Sequence, residues 1–118
     1  MKVVVYQKPS CSTCKELAVQ LKAMNIDYEK VDYYIDPVSE SKLRELLRKM
    51  NVPARDIVRT KAEEYLELGL DGPDVTDDEL IAAMAKYPEL LQRPIVEAWD
   101  RAVLARPAER VRELLGRK

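Results

Sequence analysis

A run of valines ending in Tyr6, a short polar stretch, and then Cys11 and Cys14 at the head of an amphipathic segment constrain this chain more than any other feature. Lys2 to Tyr6 reads as a short strand, and Lys15 to Met24 sets Leu17, Ala18, Leu21 and Met24 at helical spacing. Both thiols therefore stand where a strand turns into a helix. At that junction Cys11 faces the unpaired N–H groups of the helix's first turn, whose partial positive charge favours thiolate over thiol. Cys14 falls nearly one turn further in, close enough to form a disulfide with Cys11 and harder to reach from outside.

Beyond the first helix, Asn25 ends the turn. Asp27 to Asp32 alternates around Ile26, Tyr28 and Val31 and reads as a second strand, completing a parallel, right-handed βαβ unit. Asp36-Pro37 breaks the chain. Ser39 suits the N-cap of a second helix, with Val38 and Leu43 as a hydrophobic staple and Leu43, Leu46, Leu47 and Met50 as its apolar stripe. After the Asn51-Val52-Pro53 stop, a short segment around Ile57-Val58-Arg59 leads into a helix through Tyr65 and Leu68 that Gly69 closes. Asp71-Gly72-Pro73 is a loop. Thr76-Asp77-Asp78-Glu79 has capping-box spacing, and Leu80, Ile81 and Met84 continue one helical face to about Tyr87. The stretch from Leu90 to Glu97 then leads into a strand, Trp99-Asp100 turns, and Ala102 to Ala105 returns antiparallel to it. Pro107 suits the first position of a last helix carrying Val111, Leu114 and Leu115 and stopped by Gly116. The expectation is an α/β fold: a small mixed sheet flanked by helices, with a helical insertion at about residues 37–90 between the N-terminal βαβ unit and the C-terminal β-hairpin and helix.

At 118 residues the chain suits one self-sufficient core, and residues 1–118 read as a single domain. Lys and Arg number 20 against 21 Asp and Glu, so net charge points to neither nucleic acid nor an acidic membrane. No apolar run approaches membrane-spanning length, and Met1 to Tyr6 is too short for a signal peptide's apolar core, which predicts a cytoplasmic protein. In a reducing compartment, a cysteine pair at this spacing points to catalysis, redox sensing or metal binding rather than a structural staple. There is no histidine. That absence removes Ser-His-Asp and Cys-His catalysis and the commonest metal ligand.

A C-x-x-C at a helix start within βαβ is a redox signal, set against half a zinc site or an inert buried pair. Zinc needs further ligands, which here would have to be carboxylates or a second chain, so no metal is expected. Arg59, Arg93 and Arg106 are the other candidates. Each alone reads as a solvated charge. If the sheet brings the hairpin's ends beside the Cys11 loop, however, Arg93 and Arg106 become available to an oxyanion at that helix N-terminus, and a guanidinium fork suits such a ligand. Pro94 reads either as an edge-strand proline or as a cis peptide holding backbone against the thiols. Trp99 and the tyrosines read as core or turn residues.

With Tyr6-Gln7-Lys8-Pro9-Ser10-Cys11, Tyr65-Leu66-Glu67-Leu68-Gly69-Leu70, Thr76-Asp77-Asp78-Glu79-Leu80-Ile81, Gln92-Arg93-Pro94-Ile95-Val96 and Arg106-Pro107 in view, the chain resembles the arsenate reductases of the glutaredoxin-coupled family. These share a thioredoxin-like fold with Spx-type transcriptional regulators. The resemblance covers almost the whole chain. It implies that Cys11 attacks arsenate, that Arg59, Arg93 and Arg106 hold its oxygens, and that a second thiol completes reduction to arsenite. Pro94, Lys8, Ser12 and Thr13 take supporting places. It implies no bound cofactor, and an external reductant that is glutathione with glutaredoxin, or thioredoxin. Arg59 and Arg106 favour the reductase over its rival, a redox-sensing regulator that binds RNA polymerase; a general thiol-disulfide oxidoreductase is the third reading. The chain departs from the family pattern at Gln7, where the best-known members carry histidine, and at Cys14, where they carry serine. The second departure supplies an internal resolving thiol for a Cys11-Cys14 disulfide.

Overall fold

The fold is that of a computed structural model, which describes residues 3–8 and 10–115. The chain forms two compact units, one of Met1–Asp36 with Arg93–Lys118 and the other of Pro37–Gln92.

The first unit is built on a mixed sheet in the order β2-β1-β3-β4, from β1 (Val3–Gln7), β2 (Glu29–Asp32), β3 (Ile95–Ala98) and β4 (Arg101–Leu104). β1 pairs β2 in parallel, and β3 runs antiparallel to both β1 and β4. The crossover between β1 and β2 is helix α1 (Ser12–Ala23). Alternation along β1 turns Val3 and Val5 to one face, where they pack with Leu17 and Leu21 of α1 and with Val96 and Ala98 of β3. Burying a Leu or Val in this way stabilises the fold by about 1.5–3 kcal/mol per side chain. On the other face, Tyr6 donates its hydroxyl to Glu97 Oε1 at 2.8 Å, a diagonal cross-strand pair, because Tyr6 stands opposite Ile95.

Helix α1 starts at Ser12, ahead of the Lys15 at which the apolar spacing begins, since the first turn lies open to solvent at Ser12. β2 starts at Glu29 rather than Asp27. Asn25 takes a left-handed φ of 58° and Ile26 N donates back to Leu21 O, so Ile26 and Tyr28 pack on the core before the strand begins. Trp99 makes the hairpin turn with a φ of 58°. Pro107 is not the first residue of a helix as expected. With an extended ψ of 164° it precedes a 3-10 turn, Ala108–Arg110, from which helix α5 (Val111–Leu115) continues. The expected Gly116 stop lies outside the described residues, as do Lys2 and Pro9.

The second unit is helical. Helix α2 (Glu40–Met50) is capped by Ser39, whose Oγ accepts from Lys42 N at 3.1 Å, with Val38 and Leu43 buried as the staple requires. Asn51 ends it with a φ of 59°. Helix α4 (Asp77–Lys86) carries the full capping box: Glu79 N donates to Thr76 Oγ1 at 3.2 Å and Thr76 N to Glu79 Oε1 at 2.9 Å. Ile57-Val58-Arg59 is a single antiparallel bridge, Val58 to Leu91, rather than a strand. Helix α3 is short, Glu63–Glu67, and buries none of its residues, which leaves it little packing to extend it before Gly69 turns the chain at φ 69°. Among the described residues, no helix is long and apolar enough to cross a membrane.

Candidate active site

The register of the sheet explains what meets Cys11. β1 ends at Gln7, which pairs with Asp32, so Tyr33 and Tyr34 leave β2 at the same edge. β3 runs the other way, with Ile95 opposite Tyr6, so the residues just before it, Arg93 and Pro94, lie at that edge too. Leu104 of β4 stands opposite Ile95, which puts Arg106 there as well. The chain segments at this edge therefore come from far apart in the sequence to surround the start of α1.

Cys11 is the N-cap residue of α1, in extended backbone, with its own N–H donated to Lys8 O at 2.9 Å. It is a free thiol, partly exposed, while Cys14 is a free thiol only 3% exposed, on the buried face that Leu17 and Leu21 continue. Arg106 Nη1 lies 4.0 Å from Cys11 Sγ and donates to Arg93 O at 2.8 Å. Arg93 is buried, bonds to the Cys11 side chain, and donates from Nη1 to the Tyr34 hydroxyl at 3.3 Å. Tyr33, 1% exposed, hydrogen-bonds the same guanidinium.

These neighbours separate the two thiols. Burial opposes ionisation of Cys11, but the N–H and thiol of Cys14, the Arg93 guanidinium and the Thr13 N–H outweigh it and bring Cys11 down to about 7. Cys14 is pushed up to about 12, first by burial and then by Cys11 beside it, with the Lys8 backbone N–H pulling the other way. Near neutrality the outer sulfur is substantially thiolate and the inner one is thiol. For Arg93, burial favours the neutral form, but the bonds to Tyr33 and Cys11 more than offset it and hold the guanidinium firmly charged.

The Lys8 ammonium lies over the Tyr34 ring, 4.6 Å from its centroid, and the Lys8 backbone meets both cysteines. Gln7 is buried at the end of β1. Ser12 and Thr13 form the open first turn of α1. Pro94 is not at a sheet edge: it is buried, joined to Arg93 by a cis peptide, and precedes β3, an interior strand, with its carbonyl accepting from Ala105 N at 2.9 Å. Arg59 belongs to the helical unit. There its N–H donates to Leu90 O at 2.6 Å and its Nη1 pairs with Glu89 Oε1 at 3.0 Å. Among the described residues, no three or more Cys, Asp or Glu side chains gather so as to hold a metal ion.

Tyr33 and Tyr34 were not legible as site residues. The signal that would have found them is positional: they follow a strand parallel to the one that launches Cys11, and ligands gather beyond the carboxyl ends of such strands.

The chain matches the ArsC family over residues 6–114. It is 35% identical over 114 residues to an arsenate reductase of Neisseria meningitidis, covering 96% of this chain and 97% of the relative. To an Escherichia coli protein named YfgD and described as uncharacterized it is 36% identical over 115 residues, covering 97% of each. The structure of an arsenate reductase from Vibrio cholerae superposes with a TM-score of 0.91 at 36% identity, covering 96% of this chain and 97% of that one. The sheet order, the C-x-x-C helix and the edge at which the arginines meet thus belong to a thioredoxin-like α/β protein of the ArsC family.

Proposed function

We propose that the protein is an arsenate reductase in which Cys11 is the attacking thiolate and Arg93, Arg106 and Arg59 bind the substrate. The observation that carries this reading is the convergence of Arg93 and Arg106 on Cys11 at the start of α1. Arsenate carries negative charge near neutrality, and a thiolate approaches it only where fixed positive charge offsets their repulsion. Arg59 is assigned to the same oxyanion through the Ile57-Val58-Arg59 motif, and residues 1–118 act as a single cytoplasmic domain.

The Cys11 sulfur displaces an arsenate oxygen, which leaves as water, and forms a sulfur-arsenic bond to pentavalent arsenic. Cys14, once deprotonated, attacks Cys11 Sγ. The sulfur-arsenic bond breaks with its electron pair staying on arsenic, so arsenite leaves and a Cys11-Cys14 disulfide remains. The two thiols have supplied the two electrons. Glutathione with glutaredoxin, or thioredoxin, returns the disulfide to thiols. The thiolate-thiol contrast between Cys11 and Cys14 also favours a second reading, a general thiol-disulfide oxidoreductase without arsenate activity.

The test is arsenate-dependent consumption of reducing equivalents, with thioredoxin and separately with glutathione plus glutaredoxin. The reductase reading expects turnover in wild type and none in Cys11→Ser, and survival of Cys14→Ser only with glutathione. Wild type that turns over a general disulfide but consumes nothing on addition of arsenate would establish the second reading instead.

A further inference from the structure

Tyr33 follows β2 in a turn, Asp32 to Asp36, where Ile35 N and Asp36 N both donate to Asp32 O. A turn residue is ordinarily wetted, yet the Tyr33 side chain is 1% exposed. The Tyr33 and Tyr34 rings are tilted against each other with centroids 5.2 Å apart, so two neighbouring phenols reach one guanidinium: Tyr33 hydrogen-bonds Arg93, and the Tyr34 hydroxyl lies 3.3 Å from Arg93 Nη1. Tyr34 is itself held, by its N–H to Asp32 Oδ1 at 3.1 Å and by the Lys8 ammonium over its ring. A guanidinium presents its donors in a rigid fork, so fixing part of the fork fixes the direction of the remainder. Phenol oxygens do this without supplying a formal negative charge. A carboxylate in their place would orient the fork equally well and neutralise it.

We infer that Tyr33 is a positioning residue, whose buried hydroxyl, with that of Tyr34 beside it, aims the Arg93 guanidinium at Cys11 while leaving its charge for the thiolate and its substrate. The titratable and charged groups facing Cys11 are Cys14 from α1, Arg93 ahead of β3 and Arg106 after β4. Tyr33 and Tyr34 act on Cys11 through Arg93. The consequence for turnover rests on the reductase reading, whereas the consequence for the thiolate does not.

The experiment is the rate of Cys11 alkylation by iodoacetamide against pH in the reduced full-length protein, located by peptide mass, for wild type, Tyr33→Phe and Tyr34→Phe. Tyr28→Phe, which changes a phenol packed against the core of the same unit, serves as control. Loss of the Tyr33 hydroxyl is expected to raise the midpoint by about one pH unit, which slows alkylation at pH 7 about fivefold. Tyr34→Phe, in a less buried place, is expected to slow it about twofold, and supplies the test should Tyr33→Phe fold poorly. Tyr28→Phe keeps the wild-type profile, because packing alone does not move a thiol titration. A midpoint that stays put or falls in both Tyr33→Phe and Tyr34→Phe overturns the inference. Because no arsenate is present, an inactive wild type in the reductase assay would overturn the proposed function and leave this result standing.

Discussion

Arg93 in the sheet unit and Arg59 in the helical unit are the same side chain in opposite settings. Arg93 is buried, and its partners include two phenols and a thiol. Arg59 is partly exposed, with a side chain 30% accessible, and it is bound to the Glu89 carboxylate. A guanidinium held by neutral oxygens keeps its field, and burial strengthens what that field does to a nearby anion. A guanidinium on a carboxylate near solvent has largely spent its charge, and an incoming anion must compete with the carboxylate. Position along the chain therefore does not rank the arginines; their partners do.

The largest effect that would break this comparison is on turnover. Arg93→Ala should lower arsenate kcat/KM by about 10²–10³, the usual loss for a preorganised donor to developing charge, while Arg59→Ala should cost about tenfold. Arg93→Lys should recover little, because an ammonium cannot bond Tyr33, Tyr34 and Cys11 in one plane. Equal losses at Arg59 and Arg93 in steady-state kinetics would remove the distinction.

The next effect is on pH dependence. Cys11 is held at about 7, below its ordinary 9.0, so its alkylation rate should rise about tenfold between pH 6 and pH 8 and then level off. Linkage fixes the companion result: a depressed acid contributes stability that is full above the unfolded value of 9.0 and is lost as pH falls through about 7. The Tm advantage of wild type over Cys11→Ser should therefore shrink from pH 9 to pH 6. An advantage that grows toward pH 6 would reverse the sign.

Smaller effects fall in the helical unit. Thr76→Ala removes the Oγ1 acceptor that the Glu79 N–H uses, while the residue-76 N–H can still donate to Glu79 Oε1, and should cost about 1 kcal/mol in denaturant unfolding. Glu89→Gln should change stability by less than about 0.5 kcal/mol, as exposed ion pairs do, while lowering arsenate KM if Arg59 is released for the substrate. An unchanged KM in Glu89→Gln would mean that the carboxylate does not restrain Arg59.

What the sequence disclosed, and what it withheld, follows the same local-against-distant division. The staple of Val38 and Leu43, the Thr76 to Glu79 box and the left-handed Asn25 and Gly69 were readable because each motif completes itself within a few residues. The βαβ start and the C-terminal hairpin were readable from period and turn chemistry, while the approach of Arg93 and Arg106 to Cys11 was readable only as a condition on how the sheet closes. Tyr33 and Tyr34 were not, because adjacency in sequence says nothing about which distant arginine they bond, and register decides that. The place of the Lys8 ammonium was not legible either, because its long stem carries it onto the Tyr34 ring while the Lys8 backbone lies at the thiols.

The central claim is that Cys11 and Cys14 together deliver two electrons to an oxyanion held by arginine. The most direct measurement is a single turnover: fully reduced protein mixed with arsenate and no external thiol, with arsenite and the Cys11-Cys14 disulfide quantified on one time course. The account predicts equal amounts of the two, formed at one rate and both lost in Cys11→Ser. A disulfide that forms at the same rate without arsenate, or arsenate left unreduced by the dithiol protein, would contradict it.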